Sequence, residues 1–178
     1  MKTLTDIQFN QYLFSQFNHW IITLYQINQD GVSLFIPIKY INSLEFLRHF
    51  NEIIPCQNYI NQNHNKTLTL FSYGDNIETW LWNNNPIPNN TENIIIFCPF
   101  SEDKKYYSDW TRRYTKKVTN VLTYKQLERQ LLLFGMDFIE DICSNFHGDQ
   151  NTLQILKQYK NEIRLSLVNI FAQAANDC

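Results

Sequence analysis

The stretch Ile94-Ile95-Ile96-Phe97-Cys98 decides the fold that this sequence predicts. A continuous apolar run of strand length, rich in β-branched residues, is typical of a strand buried on both faces of a parallel sheet. Strand patterns also occur on either side of it, over residues 67–72 and 118–122, and helical patterns lie between them. The alternation from 67 to 134 predicts an α/β three-layer sandwich with a mostly parallel sheet of about five strands.

Capping signals predict the helices that surround this central run. Ser101 is placed to begin a helix that reaches about residue 116. Thr123 and Gln126 form a capping box for the next helix, and Gly135 stands where a helix C-cap is expected. Asp75 is the expected cap of a shorter helix after the strand 67–72. The helical signals therefore fall between the strands, as a parallel sheet requires.

The first 66 residues predict a helix, a hairpin and a second helix. Thr5 and Gln8 match a capping box, and apolar residues then recur at helical spacing as far as residue 20. The runs 20–27 and 32–38 flank an Asp-Gly turn signal at 30–31, which favours a hairpin. A capping pair at residues 42 and 45 predicts a helix that Pro55 stops.

The residues after Gly135 predict two more helices, over 136–145 and from about 150 to 174. We therefore expect one domain spanning 1–178, with a core over about 20–134. Helical extensions are expected at both termini, and the carboxy-terminal one covers about 136–175.

Composition limits the class of protein. Hydrophobic residues make up 44% of the chain and the net charge is −2, so no global basic footprint indicates nucleic acid or an anionic membrane. The apolar runs are too short to cross a bilayer, and no apolar segment follows Lys2 as in a signal peptide. The four cysteines are widely spaced, which favours free thiols. A cytoplasmic protein is expected.

Three segments carry a resemblance to a known family: 94–98, then Trp110-Thr111-Arg112-Arg113-Tyr114, and then 117–123. From about residue 38 to 131 the chain resembles the receiver-like (pseudo-receiver) domains, which are flavodoxin-like. More narrowly, it is similar to an uncharacterised amino-terminal domain of bdelloid rotifer proteins, often placed before ADP-ribosyltransferase or TPR modules. The resemblance implies a flavodoxin-like sandwich and carries no function, because those enzymatic modules lie outside the domain.

The acidic residues of a phosphorylatable receiver are missing. Such a domain needs an acidic pair after its first strand, which holds Mg²⁺, and a phosphoacceptor Asp after its third. Here the first predicted strand ends in Gln26-Ile27-Asn28. The third is followed by Asp75, which is better placed as a helix cap. Only Ser101 and Lys125 lie near suitable positions, so phosphorylation is not expected.

The densest candidate site is the basic and aromatic segment 102–117. Lys105, Arg112 and Lys116 are expected on one stripe of a helix, with Arg113 and Trp110 beside them. Such a stripe would follow phosphates while the aromatic ring stacks on a base. The same spacing also fits a helix whose aromatic face is buried and whose basic face is solvated. The second alternative is preferred, and nucleic-acid binding stays open.

A second candidate site lies where predicted strands end, at Ser72, Asp75, Cys98 and Ser101. Ligands of open α/β sheets bind in this region. The segment after Cys98 lacks the glycines of a phosphate loop, and a buried thiol is the preferred interpretation. The four histidines have no second ligand at metal-binding spacing, so no metal site, cofactor or catalytic residue is predicted.

The third candidate is an apolar stripe on the last helix, formed by Leu156, Ile163, Leu167 and Ile170. Packing against the chain's own domain is the default for such a heptad-like stripe, and a seam with a second copy or a partner helix is the alternative. If the central helices already fill both faces of the sheet, the seam is expected.

These observations favour a non-catalytic protein-interaction or assembly module, which binds a protein partner or itself and no membrane. Nucleic-acid binding through helix 102–117 is the first alternative. A small-molecule or nucleotide-sensing or hydrolysing enzyme that uses the strand-end loops is the second, and it rests on fold analogy alone.

Overall fold

A computed structural model describes residues 1–28 and 33–176 of the chain. Within these ranges five strands form one sheet: β1 (His19–Leu24), β2 (Leu47–Phe50), β3 (Thr67–Tyr73), β4 (Thr91–Cys98) and β5 (Val118–Thr123). All neighbouring strands are parallel, and their order is β2-β1-β3-β4-β5. The predicted α/β class is therefore confirmed. The central apolar run lies in β4, between β3 and β5.

The helices are α1 (Gln11–Phe14), α2 (Ile53–Gln62), α3 (Gly74–Trp82), α4 (Asp103–Thr111), α5 (Tyr124–Asn145) and α6 (Gln150–Asn176). Helices α2, α3 and α4 cover one face of the sheet, in a core that includes Ile60, Ile77 and Trp80. The other face is covered by α5, α6 and the amino-terminal residues, in a core that includes Leu13 and Leu131. Together these layers form the predicted three-layer sandwich.

The connection between β1 and β2 lacks the long helix that usually joins two parallel strands. Its described residues contain only a short 3₁₀ helix, Ile41–Leu44. Helix α6 packs over this connection instead. The N–H of Glu45 donates to the hydroxyl oxygen of Tyr159 at 2.6 Å, and the hydroxyls of Ser43 and Ser166 lie 2.9 Å apart. The final helix thus covers the part of the sheet that the missing crossover helix leaves open.

The predicted amino-terminal helix and hairpin are wrong in detail. The amino-terminal residues form a 3₁₀ helix, Leu4–Asp6, and the single turn of α1. Residues 33–38 join no strand of the sheet, because β2 and β3 already occupy both edges of β1. Pro37 instead bridges Thr3 in antiparallel fashion, and the N–H of Ile38 donates to the carbonyl of Lys2 at 2.9 Å. The Asp-Gly turn lies outside the described residues.

The helix predicted to end at Pro55 is also wrong. Residues 47–50 form strand β2, and α2 begins only at Ile53. Pro55 lies in the first turn of α2, where a backbone N–H has no partner within the helix and its loss costs little. Pairing with β1 has overridden the local helical signal of residues 42–50.

Two further helix boundaries differ from the prediction. Helix α4 ends at Thr111 and not near 116, so Lys116 is not on it. Helix α5 continues through Gly135, which is buried against the ring of Phe46 and does not cap a helix. The capping box of Thr123 and Gln126 at the start of α5 is confirmed.

Candidate functional site

Two adjoining depressions lie at the carboxyl ends of the strands. The first, a cavity of about 420 Å³, lies between the ends of β1, β3 and β4 and is lined by residues 25–28, Tyr73, Asp75 and Phe100. The second, a groove of about 680 Å³, shares residues 25–28 and extends to Phe35 and Ile54. In a sheet of this strand order the crevice between β1 and β3 is where ligands usually bind. A ligand site of this fold is therefore expected at this edge.

Gln26, which lines the cavity, is held in place by a network of amide hydrogen bonds. The buried side chain of Asn76 accepts from the N–H of Gln26 at 2.7 Å and donates to its carbonyl at 2.9 Å. The side-chain oxygen of Gln26 in turn accepts from the N–H of Ile53 at 2.7 Å, at the first turn of α2. These amides tie the end of β1 to α2 and α3. The polar atoms that make these hydrogen bonds stabilise the fold and are not free to bind a ligand.

Two of the predicted strand-end residues do not reach the cavity. Ser72 and Cys98 are fully buried. The hydroxyl of Ser72 donates to the carbonyl of Tyr73 at 3.2 Å, and the thiol of Cys98 donates to carbonyls of Phe100 and Leu122 at 3.3 Å. Burial raises the pKa of the Cys98 thiol to about 11, so at neutral pH it is not the thiolate that a nucleophile requires.

The other two predicted strand-end residues do not lie together either. Asp75 lines the cavity, but its carboxylate accepts a short hydrogen bond from the hydroxyl of Tyr107. Burial is the main cause that raises the pKa of Tyr107, and this hydrogen bond is the second cause. Ser101 is exposed and lies outside the residues that line the cavity. The four residues therefore form no nucleophile and base pair. Within the described ranges, no cluster of metal-ligating side chains was found either.

The basic segment is divided by the end of α4. Lys104, Lys105 and Arg112 line a groove of about 400 Å³ between α4 and β5, together with Ser108 and residues 118–121 of the strand. We call this the α4–β5 groove.

The other predicted basic and aromatic residues lie outside the groove. Arg113 and Lys116 are exposed and do not line it. The ring of Trp110 lies against that of Tyr114, with centroids 4.5 Å apart. The ammonium of Lys117 donates to the carbonyl of Pro88 at 2.9 Å, where it holds the turn before β4. The predicted stripe of Lys105, Arg112 and Lys116 is therefore wrong in its last member.

Sequence reasoning missed the strand side of this groove. Thr119 and Asn120 contribute to it because β5 is the last strand of the sheet and has one free edge. The recurrence of Lys104, Ser108 and Arg112 every four residues is a signal that would have grouped the helix side. The local sequence of β5 does not indicate that it lies at the edge of the sheet.

The stripe of Leu156, Ile163, Leu167 and Ile170 faces the chain's own sheet. Leu156 and Ile163 are 0% exposed, Leu167 is buried, and Ile170 packs against the same core. The stripe is therefore not free for a partner helix, and its assignment to an interaction seam is corrected. The reason is the missing crossover helix, whose place α6 takes.

A different face of α6 is exposed and apolar. Leu165, Val168 and Phe171 are each about half exposed, at 50%, 54% and 50%. Ala172 and Ala175 continue this face and are exposed as well. We call these five residues the outer face of α6. Contiguous exposed apolar side chains of this kind mark interaction sites.

Comparison with protein-family models, curated proteins and solved structures found no match to this chain. Over the described residues, no helix combines the length and the apolar character needed to cross a membrane.

Proposed function

We propose that this chain is a non-catalytic protein-interaction and assembly module that pairs with a second copy of itself through the outer face of α6. The observation that carries the proposal is the double character of this helix. Its inner stripe already fills the core, whereas the outer face leaves Leu165, Val168 and Phe171 half exposed. Covering apolar area on two copies at once lowers the free energy of association.

The outer face is suited to pairing with itself. Leu165 and Phe171 each lie three residues from Val168, on opposite sides of it. In an antiparallel pair of α6 helices centred on Val168, Leu165 of one copy therefore lies opposite Phe171 of the other. A twofold interface has this self-complementary form. The flanking side chains are mostly uncharged, and the guanidinium of Arg164 is held by the side chain of Asn161 at 2.9 Å. No block of like charge opposes this pairing.

The geometry favours a receiver-like origin without receiver chemistry. The order β2-β1-β3-β4-β5 is the flavodoxin-like order of doubly wound sheets, which supports the proposed relationship. Two features depart from it: the β1–β2 connection carries only a 3₁₀ helix, and no acidic pair follows β1. We therefore propose a degenerate receiver-like fold that acts in the cytoplasm without phosphorylation.

The alternatives receive less support from the geometry. An enzyme that uses the strand-end loops would need Ser72, Asp75, Cys98 and Ser101 to converge, and they do not. Nucleic-acid binding would use a continuous basic stripe, but the cations divide at the end of α4. The oligonucleotide comparison described below tests nucleic-acid binding directly.

Light scattering coupled to size-exclusion chromatography tests the assembly proposal. At tens of micromolar we expect the wild-type chain to elute as a dimer. The variant L165S/V168S removes the apolar contact and should be a folded monomer. The matched control Q154S/Q158S changes exposed polar residues of the same helix and should remain dimeric. A wild-type monomer under these conditions would refute the proposal.

A further inference from the structure

The α4–β5 groove combines unpaired positive charge with an unpaired strand edge. The ammonium of Lys104 donates to the side-chain oxygen of Gln126 at 3.0 Å. Among the described residues, no carboxylate forms an ion pair with Lys105 or Arg112. The hydroxyl of Ser108 lies between them in sequence and lines the same groove. A ligand that enters it therefore meets cationic and neutral donors.

The strand side of the groove offers backbone hydrogen bonds. β5 pairs only with β4, so alternate N–H and C=O groups on its other side have no strand partner. Thr119 and Asn120 are exposed at this edge, and residues 120–123 pair with β4 in continuous register. The opposite edge strand, β2, is shorter, at four residues against six. The β5 edge is thus the better template for an added strand.

We infer that the α4–β5 groove binds an extended acidic peptide segment of another protein, which adds to the β5 edge as a sixth strand. Strand addition of this type takes its affinity from main-chain hydrogen bonds and its specificity from alternate side chains. Acidic side chains are selected because the groove presents three cations and no carboxylate. This surface is separate from the outer face of α6.

The helix and a bound strand match in spacing. Lys104, Ser108 and Arg112 recur every four residues, which is about 6 Å along a helix axis. Side chains on one face of a strand recur every two residues, which is about 6.6 Å. An acidic residue at every second position of the peptide can therefore meet the groove in register. Alternating Glu and Thr provides such a peptide.

Fluorescence anisotropy with a labelled Glu–Thr alternating peptide tests the inference. We expect saturable binding that weakens with salt, and no binding of the matched Lys–Thr peptide. The variant K105E/R112E should weaken binding by about tenfold or more, because it replaces attraction by repulsion inside the groove. The control R113E/K116E makes the same change of charge outside the groove and should bind within about twofold of wild type.

Backbone pairing is tested separately from charge. Two versions of the peptide carry N-methyl groups at alternate residues, one version in each phase, and at least one should lose binding because its N–H groups no longer donate. In amide NMR spectra, the signals of Thr119 and Asn120 should shift on binding the unmodified peptide.

Three results would overturn the inference. The first is failure of the Glu–Thr peptide to bind, and the second is equal loss in the two charge-reversal variants. The third is a single-stranded oligonucleotide that binds more tightly than the peptide and depends on Lys105 and Arg112, which would assign the groove to nucleic acid. None of these results affects the dimer test, because L165S/V168S leaves the groove intact.

Discussion

At the scale of single residues, His49 gives the clearest link between burial and pH. Its Nδ1 lies 2.9 Å from the hydroxyl of Thr23, while its Nε2 is buried without a partner among the described residues. Burial lowers the pKa of His49 to about 4. The unfolded chain, with an ordinary histidine pKa of about 6.5, binds the proton more readily. Acid therefore favours unfolding.

We expect the free energy of unfolding to fall as the pH drops from about 6.5 to about 4, by an amount on the order of 3 kcal/mol from His49. The variant H49Q carries no titrating group there, so its urea midpoint should fall less over the same range. H147Q, at an exposed histidine, should behave like wild type. Equal pH dependence in H49Q and wild type would contradict this account.

Gly135 is a residue whose role depends on contact rather than on backbone conformation. A Cβ at this position would lie 2.6 Å from the ring of Phe46, which is buried in the core. G135A should therefore destabilise the chain by about 1–3 kcal/mol, although alanine favours a helix by up to about 1 kcal/mol. Denaturant unfolding measures the change. In the double variant F46L/G135A the smaller leucine should relieve the clash, so the loss of stability should be less than the sum of the two single losses. Strictly additive losses of stability would contradict this explanation.

At the scale of elements, the two faces of α6 have different roles: the inner stripe belongs to the core, and the outer face is the proposed dimer surface. L156D/I163D places two carboxylates at positions that are fully buried, and we expect the chain to lose its folded circular dichroism signal. L165D/V168D makes the same changes on the outer face and should remain folded. If L156D/I163D gave a folded monomer, the inner stripe would be an interface after all.

The elements that local sequence predicted well are those from β3 to α5. Their apolar runs lie in the strands as expected, and Thr123 with Gln126 caps α5. The predicted caps Asp75 and Ser101 are wrong, because Asp75 lies inside the first turn of α3 and the residue before α4 is Glu102. The elements before β3 were predicted poorly, because their structure depends on distant partners. Leu47 to Phe50 carry a helical spacing but pair with β1 as a strand. No local signal reveals that β1 lies inside the sheet.

The candidate sites were predicted in the same uneven way. Lys105 and Arg112 were identified from their helical spacing, and they do share a groove. Their grouping with Thr119 and Asn120 depends on β5 being an edge strand, which only the full topology determines. Cys98 was correctly interpreted as a buried thiol, because the four residues before it, 94–97, are apolar.

At the scale of the whole molecule, the position of α6 over the β1–β2 connection has a kinetic consequence. Ser43 and Ser166, which meet there, are 123 residues apart in the chain. Contacts of such long sequence separation slow folding, because a long loop must close before they form. Phe14 and Phe46 come much earlier in the chain than α6. Until α6 docks, their rings lack their contacts with the ring of Tyr159. Until α6 has been synthesised and has docked, nascent chains would therefore expose this aromatic surface to chaperones.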